Sequence, residues 1–442
     1  MLAAIALTKA SATPPAPKIG FEQFVLPNGM RVILSRDSSV PVTAMSMIFN
    51  VGGRLETPGR SGFAHLFEHM MFEGSKHAPK GSFDRILETY GGDNNASTHE
   101  DFTFYYEVVP SNALPIALWL DADRVADLNV TEEAMKNQRD VVKEEKRMRV
   151  DNEPYGPMLY VEMGSATFAN WQNSHPTIGS FADLDAATLG DVQSFFDAYY
   201  APKNGILAVV GDIDYVQTRK WVEEYFGSIA NRGQIPAVDT GEPAPSGEKW
   251  LKTVDAHANL PGLGITWKGM PARGTPDFYA LALLGQALFS GKSSLLYQSL
   301  VKESEAAVSV DGGLGFPISD TSEYKAPGAF GGFVIYKAEK TAAQLKDLIL
   351  KPIRVVAETG LPDRDLARLK TKFRSDWILS GQTALGRAQK LLVAALLDGN
   401  AEEANTLDRY MAVTSQDLKR AAKLYLRAEA MTVIEAAPGG KK

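Results

Sequence analysis

Between Asn231 and Glu248 the run NRGQIPAVDTGEPAPSGE is rich in Pro and Gly and poor in apolar residues, so it reads as an exposed connection, and it divides the chain nearly in half. The 442 residues exceed one comfortable core, and length over about 150 suggests roughly three domains or two large ones. An internal echo supports duplication. Thr188, Asp191, Val192 and Tyr199 lead into ILAVV, while Thr414, Asp417, Leu418 and Tyr425 lead into MTVIEA at the same offsets. The division is therefore an N-terminal tether over 1–20, one lobe over 21–230, a connection over 231–249 and a second lobe over 250–438, with a cleft between the lobes where substrate would bind.

Within the first half, FEQFVLPNGMRVILSRD alternates about Asn28-Gly29, a two-residue hairpin signal, and TAMSMIFNVGGR reads as a further strand. Helical patterns cover about 61–75, 81–90, 111–126, 131–150 and 188–200, with strands at about 102–109 and at GILAVVG. Beyond the connection come a strand, a helix at about 277–301, a Gly-rich strand pair at about 307–336, and helices from about 340, 363 and 414. The fold class is α+β.

A net charge of −7 gives no basic field for nucleic acid or an anionic membrane, and no apolar stretch reaches the roughly 18 residues of a bilayer span. The opening MLAAIALTKASA resembles a clipped secretory signal, with Ala10, Ser11 and Ala12 as an A-x-A cleavage site and TPPAPK as a tether, although a basic n-region is missing. Export to the periplasm is the favoured reading, and a frayed cytoplasmic N-terminus the alternative. Cysteine is absent, which removes disulfides, thiolate ligands and thiol nucleophiles, so any metal must rest on His, Asp or Glu.

HLFEH supplies such a set. His65 and His69 are four apart and project from one helical face, with Glu68 beside His69; this is the H-x-x-E-H order. Two imidazoles and a carboxylate suit zinc, and a catalytic zinc takes three protein ligands and keeps one position open. The third ligand is sought on the helical pattern at 131–150. There Ala134, Met135, Val141, Val142 and Met148 define an apolar face centred near Glu145, while Glu144 lies about 100° away and reads as solvated. A carboxylate on a buried face needs a partner, so Glu145 is the third ligand, and Gln138, two turns earlier, is a neutral hydrogen-bond partner behind the ligands.

HLFEHMMFEGS, GGDNNASTHEDFTFYY, RDVVKEEKRMRVDNEPYG, HPTIGS and YYAPKNGILAVVGDID resemble the matching blocks of the insulysin, pitrilysin and mitochondrial processing peptidase family, in its short bacterial two-lobe form. The resemblance runs from about Phe21 to Pro438 and is stronger in the first half. It implies two homologous lobes, each a mostly antiparallel sheet covered by helices. It also implies one zinc per chain on His65, His69 and Glu145, Glu68 as general base, and a substrate strand around Asn94, Asn95, Ala96 and Ser97, with His99 close by. In that chemistry zinc lowers the pKa of its water towards about 7, and Glu68 carries the proton to the leaving amine.

The pattern breaks in the second half. A block similar to SRLYQ.LRE....AYSV would carry an Arg and a Tyr that steady the tetrahedral oxyanion; this chain reads SSLLYQSLVKESEAAVSV, with Val301 and Val308 at those places. Each lost donor typically costs about 3 to 4 kcal/mol of transition-state stabilisation. A homologous partner chain supplying both would complete a heterodimer. A second departure is Gln138, where relatives often have Glu. The functional expectation is a zinc metalloendopeptidase subunit acting on peptides or unfolded segments; the rival is a noncatalytic core or scaffold subunit, which has no need of Glu68. His77, His175 and His257 read as structural or surface groups, and DGGLGFPISD reads as a hairpin, not a phosphate loop.

Overall fold

The computed structural model describes residues 17–439. The proposed cleavage site at Ala10, Ser11 and Ala12 lies outside them. Two sheets organise the chain. The first contains β1 (Glu22–Val25), β2 (Arg31–Arg36), β3 (Val42–Phe49), β4 (Asp93–Thr98), β5 (Thr103–Pro110) and β6 (Gly205–Gly211), in the order β1-β2-β6-β3-β5-β4. The second contains β7 (Lys249–Asp255), β8 (Gly262–Lys268), β9 (Ala307–Leu314), β10 (Ala329–Tyr336) and β11 (Met431–Pro438), in the order β7-β11-β8-β10-β9. Setting β1 aside, the two orders coincide strand for strand. Each sheet has one parallel pair, β2 with β6 and β7 with β11, and is otherwise antiparallel.

The echo in the sequence is a repeated helix start. Thr188 with Asp191, and Thr414 with Asp417, each close a reciprocal capping box, and each helix then feeds a strand of the parallel pair, β6 or β11. Both sheets are covered on two faces, which explains why β6 and β8 are buried along their whole length. In β3, Met45, Met47 and Phe49 face one core while Ile48 joins another, the period-two alternation of a strand. The covers are exchanged between the halves. The helix Ala384–Leu397 lies on the outer face of the first sheet through Ala388, Leu391 and Leu392, while Tyr155, Met158 and Met163 lie on the second sheet beside Phe333 and Ile434. Gly264 makes room for them: a Cβ there would stand 2.7 Å from the Met163 sulfur.

Several local expectations need correction. The Asn28-Gly29 hairpin forms, but Leu26–Met30 separate its strands; the Leu26 N–H donates to the Met30 carbonyl across the loop, and the Asn28 side chain donates to the carbonyls of Phe226 and Ile229. The helix anticipated at 277–301 ends at Phe289; a π-helical segment, Tyr297–Glu303, follows after a break. Helix Ala384–Leu397 was not among the expected elements. The connection lacks regular structure yet is tied down: Glu242 accepts from the backbone N–H of Ala169 at 2.7 Å and from Lys268 at 3.0 Å. DGGLGF ends β9 and begins the loop to its antiparallel neighbour β10. Among the described residues no helix is long and apolar enough to cross a membrane.

Candidate metal centre

HLFEH sits on the helix Phe63–Met70, whose buried side is Phe63, Ala64, Leu66, Phe67 and Met70. Phe67 packs among Phe195, Phe196 and Tyr200, with ring centroids 5.6, 5.7 and 4.4 Å away, which fixes the rotation of the helix and turns His65, Glu68 and His69 towards the opposite side. Its first turn has no side-chain cap from Gly62. Instead the buried carboxylate of Glu56 accepts the N–H groups of Gly62 at 2.9 Å and Ala64 at 2.7 Å, and it takes a further bond from His175 Nε2 at 2.9 Å. A negative group at a helix N-terminus satisfies orphan donors and opposes the macrodipole. Burial raises the Glu56 pKa against the pull of His175. His175 is itself stacked on Trp171 at 3.7 Å.

Glu145 reaches the same place from the last turn of the helix Glu132–Lys146. Its Oε2 lies 3.6 Å from His65 Nε2 and 3.4 Å from His69 Nε2, and one ligand atom from each of the three residues lies within 4.8 Å of the others. Bonds of about 2.0–2.1 Å at tetrahedral angles separate donors by about 3.4 Å, so a zinc ion fits this donor set. The route to Glu145 differs from the helical-face argument. Val141 and Met148 are exposed, 43% and 57%, because the inner face is Ala134, Met135 and Val142 and the helix widens into a π turn over Arg147–Asp151. Glu144 is paired with Arg147 at the surface.

The hydrogen bonds behind these side chains set a tautomer. Gln138 donates its amide to Glu73, which also holds Lys80, so the Gln138 oxygen is the atom that faces His69 Nδ1, at 3.2 Å. That oxygen can only accept, so Nδ1 carries a proton and Nε2 is the nitrogen that would give its lone pair to a metal. Burial, then the neighbouring His69, depresses the His65 pKa to about 4, which keeps its ring neutral. The Glu145 carboxylate is held ionised by its bond from His69, against burial. Burial works against a charge on His69, but its bond to Glu145 wins and its pKa is raised.

Glu68 is held by Thr98, whose hydroxyl donates to Oε2; burial raises the Glu68 pKa in spite of that bond. Thr98 ends β4, the open edge of the first sheet, and β4 carries Asn94, Asn95, Ala96 and Ser97 paired to Glu107, Tyr106, Tyr105 and Phe104 of β5. Asn94 donates to Asp84 and Ser97 bonds His99 Nε2 at 2.8 Å. The other ring nitrogen of His99 is 2.7 Å from Glu323, in the loop after β9, so the second lobe touches the end of the edge strand. Arg54 and Lys325 strengthen the contact, the first bonding the Pro327 carbonyl at 3.1 Å and the second lying 3.5 Å from Asp101. Val308 is 47% exposed on β9 and Val301 packs at the margin of the second core. Thr98, Glu73, Glu56 and Glu323 were not singled out in the sequence, where no spacing ties them to the histidines.

Comparison with known proteins agrees with this architecture. The profile of the family described as Insulinase (Peptidase family M16) matches residues 31–180, and that of the Peptidase M16 inactive domain matches residues 186–373. The chain belongs to the insulinase family of peptidases. It is 33% identical over 289 residues to the zinc protease PqqE of Helicobacter pylori, an alignment spanning 65% of each protein. The crystal structure of a protease from Helicobacter pylori superposes with a TM-score of 0.89 at 26% identity, covering 96% of this chain and all of that one. The periplasmic protease PqqL from Escherichia coli shares the fold at a TM-score of 0.76 and 17% identity, and this chain spans 48% of it.

Proposed function

We propose that this chain is the metal-binding subunit of a zinc metalloendopeptidase that hydrolyses peptides or unfolded polypeptide segments. The observation that carries the reading is the meeting of His65 Nε2, His69 Nε2 and a Glu145 oxygen, with Glu68 on the same helix as both histidines. Zinc held there would supply Lewis acidity, making water a stronger acid and polarising a scissile carbonyl. Glu68 takes the proton of the attacking water and returns it to the leaving amine nitrogen. Its burial favours the neutral form, which suits a group that must hold a proton in mid-reaction, while Thr98 fixes one of its oxygens. The β4 backbone from Asn94 to Ser97 offers an open ladder to an extended peptide, a grip that depends little on side chains, and His99 lies at its end.

Val301 and Val308 offer no donor to a developing oxyanion, so the reading includes a homologous partner chain that supplies one. The same two valines are what favours the second reading, a noncatalytic scaffold subunit; that reading leaves Glu68 and its bond to Thr98 without a purpose. Export to the periplasm stays part of the proposal on the strength of the first twelve residues. The test is to isolate the chain with its native companion and follow cleavage of an unstructured fluorogenic peptide through removal and return of zinc. Cleavage should vanish with a chelator and recover with stoichiometric zinc. Cleavage indifferent to the chelator would sink the proposal.

A further inference from the structure

Away from the histidines, a cavity of about 210 Å³ opens where helix Ala384–Leu397, which covers the first sheet, meets the helices of the second lobe. Trp377, Phe278, Tyr279 and Tyr410 form much of its wall. The rings of Tyr410 and Trp377 are 5.4 Å apart, and those of Tyr410 and Tyr279 meet edge to face at 4.8 Å, so the aromatic wall is built rigidly. An engineered cavity of about 150 Å³ already admits benzene, so this one admits a phenyl ring and a short arm.

The charges of the lining are unevenly matched. Asp398 holds Arg273 at 2.8 Å, and Glu403 holds Arg409 at 2.7 Å, so each lining carboxylate already has a guanidinium. Lys390 has no carboxylate among the described residues. Its ammonium donates to the Trp377 carbonyl and lies 4.3 Å from the centre of the Trp377 ring. An ammonium has three donors, so hydrogen-bonding capacity is left over in a largely apolar pocket. Burial brings its pKa down to about 8, which still leaves it mainly charged at neutral pH.

We propose that this pocket binds a small carboxylic acid with an aromatic body, the carboxylate on Lys390 and the ring among Trp377, Phe278 and Tyr410. The acid is favoured over a cation because the lining carboxylates are occupied, and over a neutral ring because an anion compensates a partly desolvated ammonium better than a neutral acceptor does. Such a ligand touches both the cover helix of the first sheet and the core of the second lobe. The site is independent of the peptidase reading.

Calorimetric titration of the full chain at pH 7 with 3-phenylpropionate, and separately with its uncharged amide, decides the matter. The acid should bind at least about tenfold more tightly than the amide, the usual gap for a charge-assisted hydrogen bond. Lys390→Met should abolish that preference and Lys390→Arg should keep it, so a poorly folding methionine variant does not leave the question open. Equal binding of acid and amide, undiminished preference in K390M, or no heat with the acid would overturn the assignment.

Discussion

Thr98 donates its hydroxyl to Glu68, joining the last residue of the edge strand to the helix that carries both histidines. The strand proposed to hold the peptide and the proposed base therefore keep a fixed separation. Thr98→Val keeps the shape and removes the donor. Hydrogen bonds to charged groups are worth about 1.5–3 kcal/mol, so kcat should fall roughly ten- to a hundredfold while zinc content stays at one per chain. A steady-state assay with metal analysis on the same sample checks both; unchanged kcat would mean the bond positions nothing.

Glu73 governs His69 only through Gln138. In Glu73→Gln the constraint on the Gln138 amide is relaxed, and it can turn its NH₂ towards His69, where Nδ1 must then accept. Zinc affinity should weaken about tenfold, the lower end of what lost support behind a ligand costs. Competition with a chromophoric chelator measures it, and Gln138→Glu, which can only accept from His69, should keep the tighter binding.

Glu56 and His175 are buried together at the start of the metal-site helix. His175→Ala leaves the carboxylate without its ring partner, and removing one member of a buried pair typically costs about 3 kcal/mol or more. The first urea transition should move to lower denaturant by a matching amount. An unmoved midpoint would show that the backbone bonds from Gly62 and Ala64 suffice.

Asp123 supplies an acid limb to stability. Burial would raise its pKa, but bonds from the Ser75 hydroxyl and from the ring and backbone N–H of His77 prevail and lower it. A carboxyl depressed in the folded state stabilises above its unfolded pKa, about 3.9, and loses that contribution as pH falls through the lower folded value. The stability gap between wild type and Asp123→Asn should thus be constant from pH 7 to about 5 and close on further acidification. Urea melts across that range test it, and a gap that widens in acid contradicts it.

The isolated chain should be a poor catalyst. With Val301 and Val308 where two donors would stand, kcat should lie at least about a hundredfold below that of the native complex. Mixing the purified chains should restore the rate with a one-to-one endpoint. Full activity in the lone chain would remove the partner from the account.

What the sequence made legible was periodic or local. Helix starts at Thr188 and Thr414 are four-residue capping patterns, and the two histidines share one helical face, so both survive translation into structure. Long-range exchange left no trace: helix Ala384–Leu397 belongs to the second half by chain order, yet Leu391 and Leu392 pack beneath Ile48 and Ile206 of the first sheet. At the site the same division holds. The apolar face that points to Glu145 in the sequence includes Val141 and Met148, both of which are exposed, so its place rests on Ala134, Met135 and Val142. Thr98, at the end of an edge strand, and Glu323, in the loop after β9, come to the site only after folding, which no spacing in the chain encodes.

The most direct test of the metal centre is Glu68→Gln in the native complex, assayed for bound zinc and for turnover of an unfolded peptide. The substitution leaves His65, His69 and Glu145 intact and removes the proton acceptor. Zinc should remain at one per chain while kcat falls at least about a hundredfold, the ordinary contribution of a general base. Undiminished turnover in the zinc-loaded variant would contradict the role given to Glu68 and, with it, the hydrolytic reading of the site.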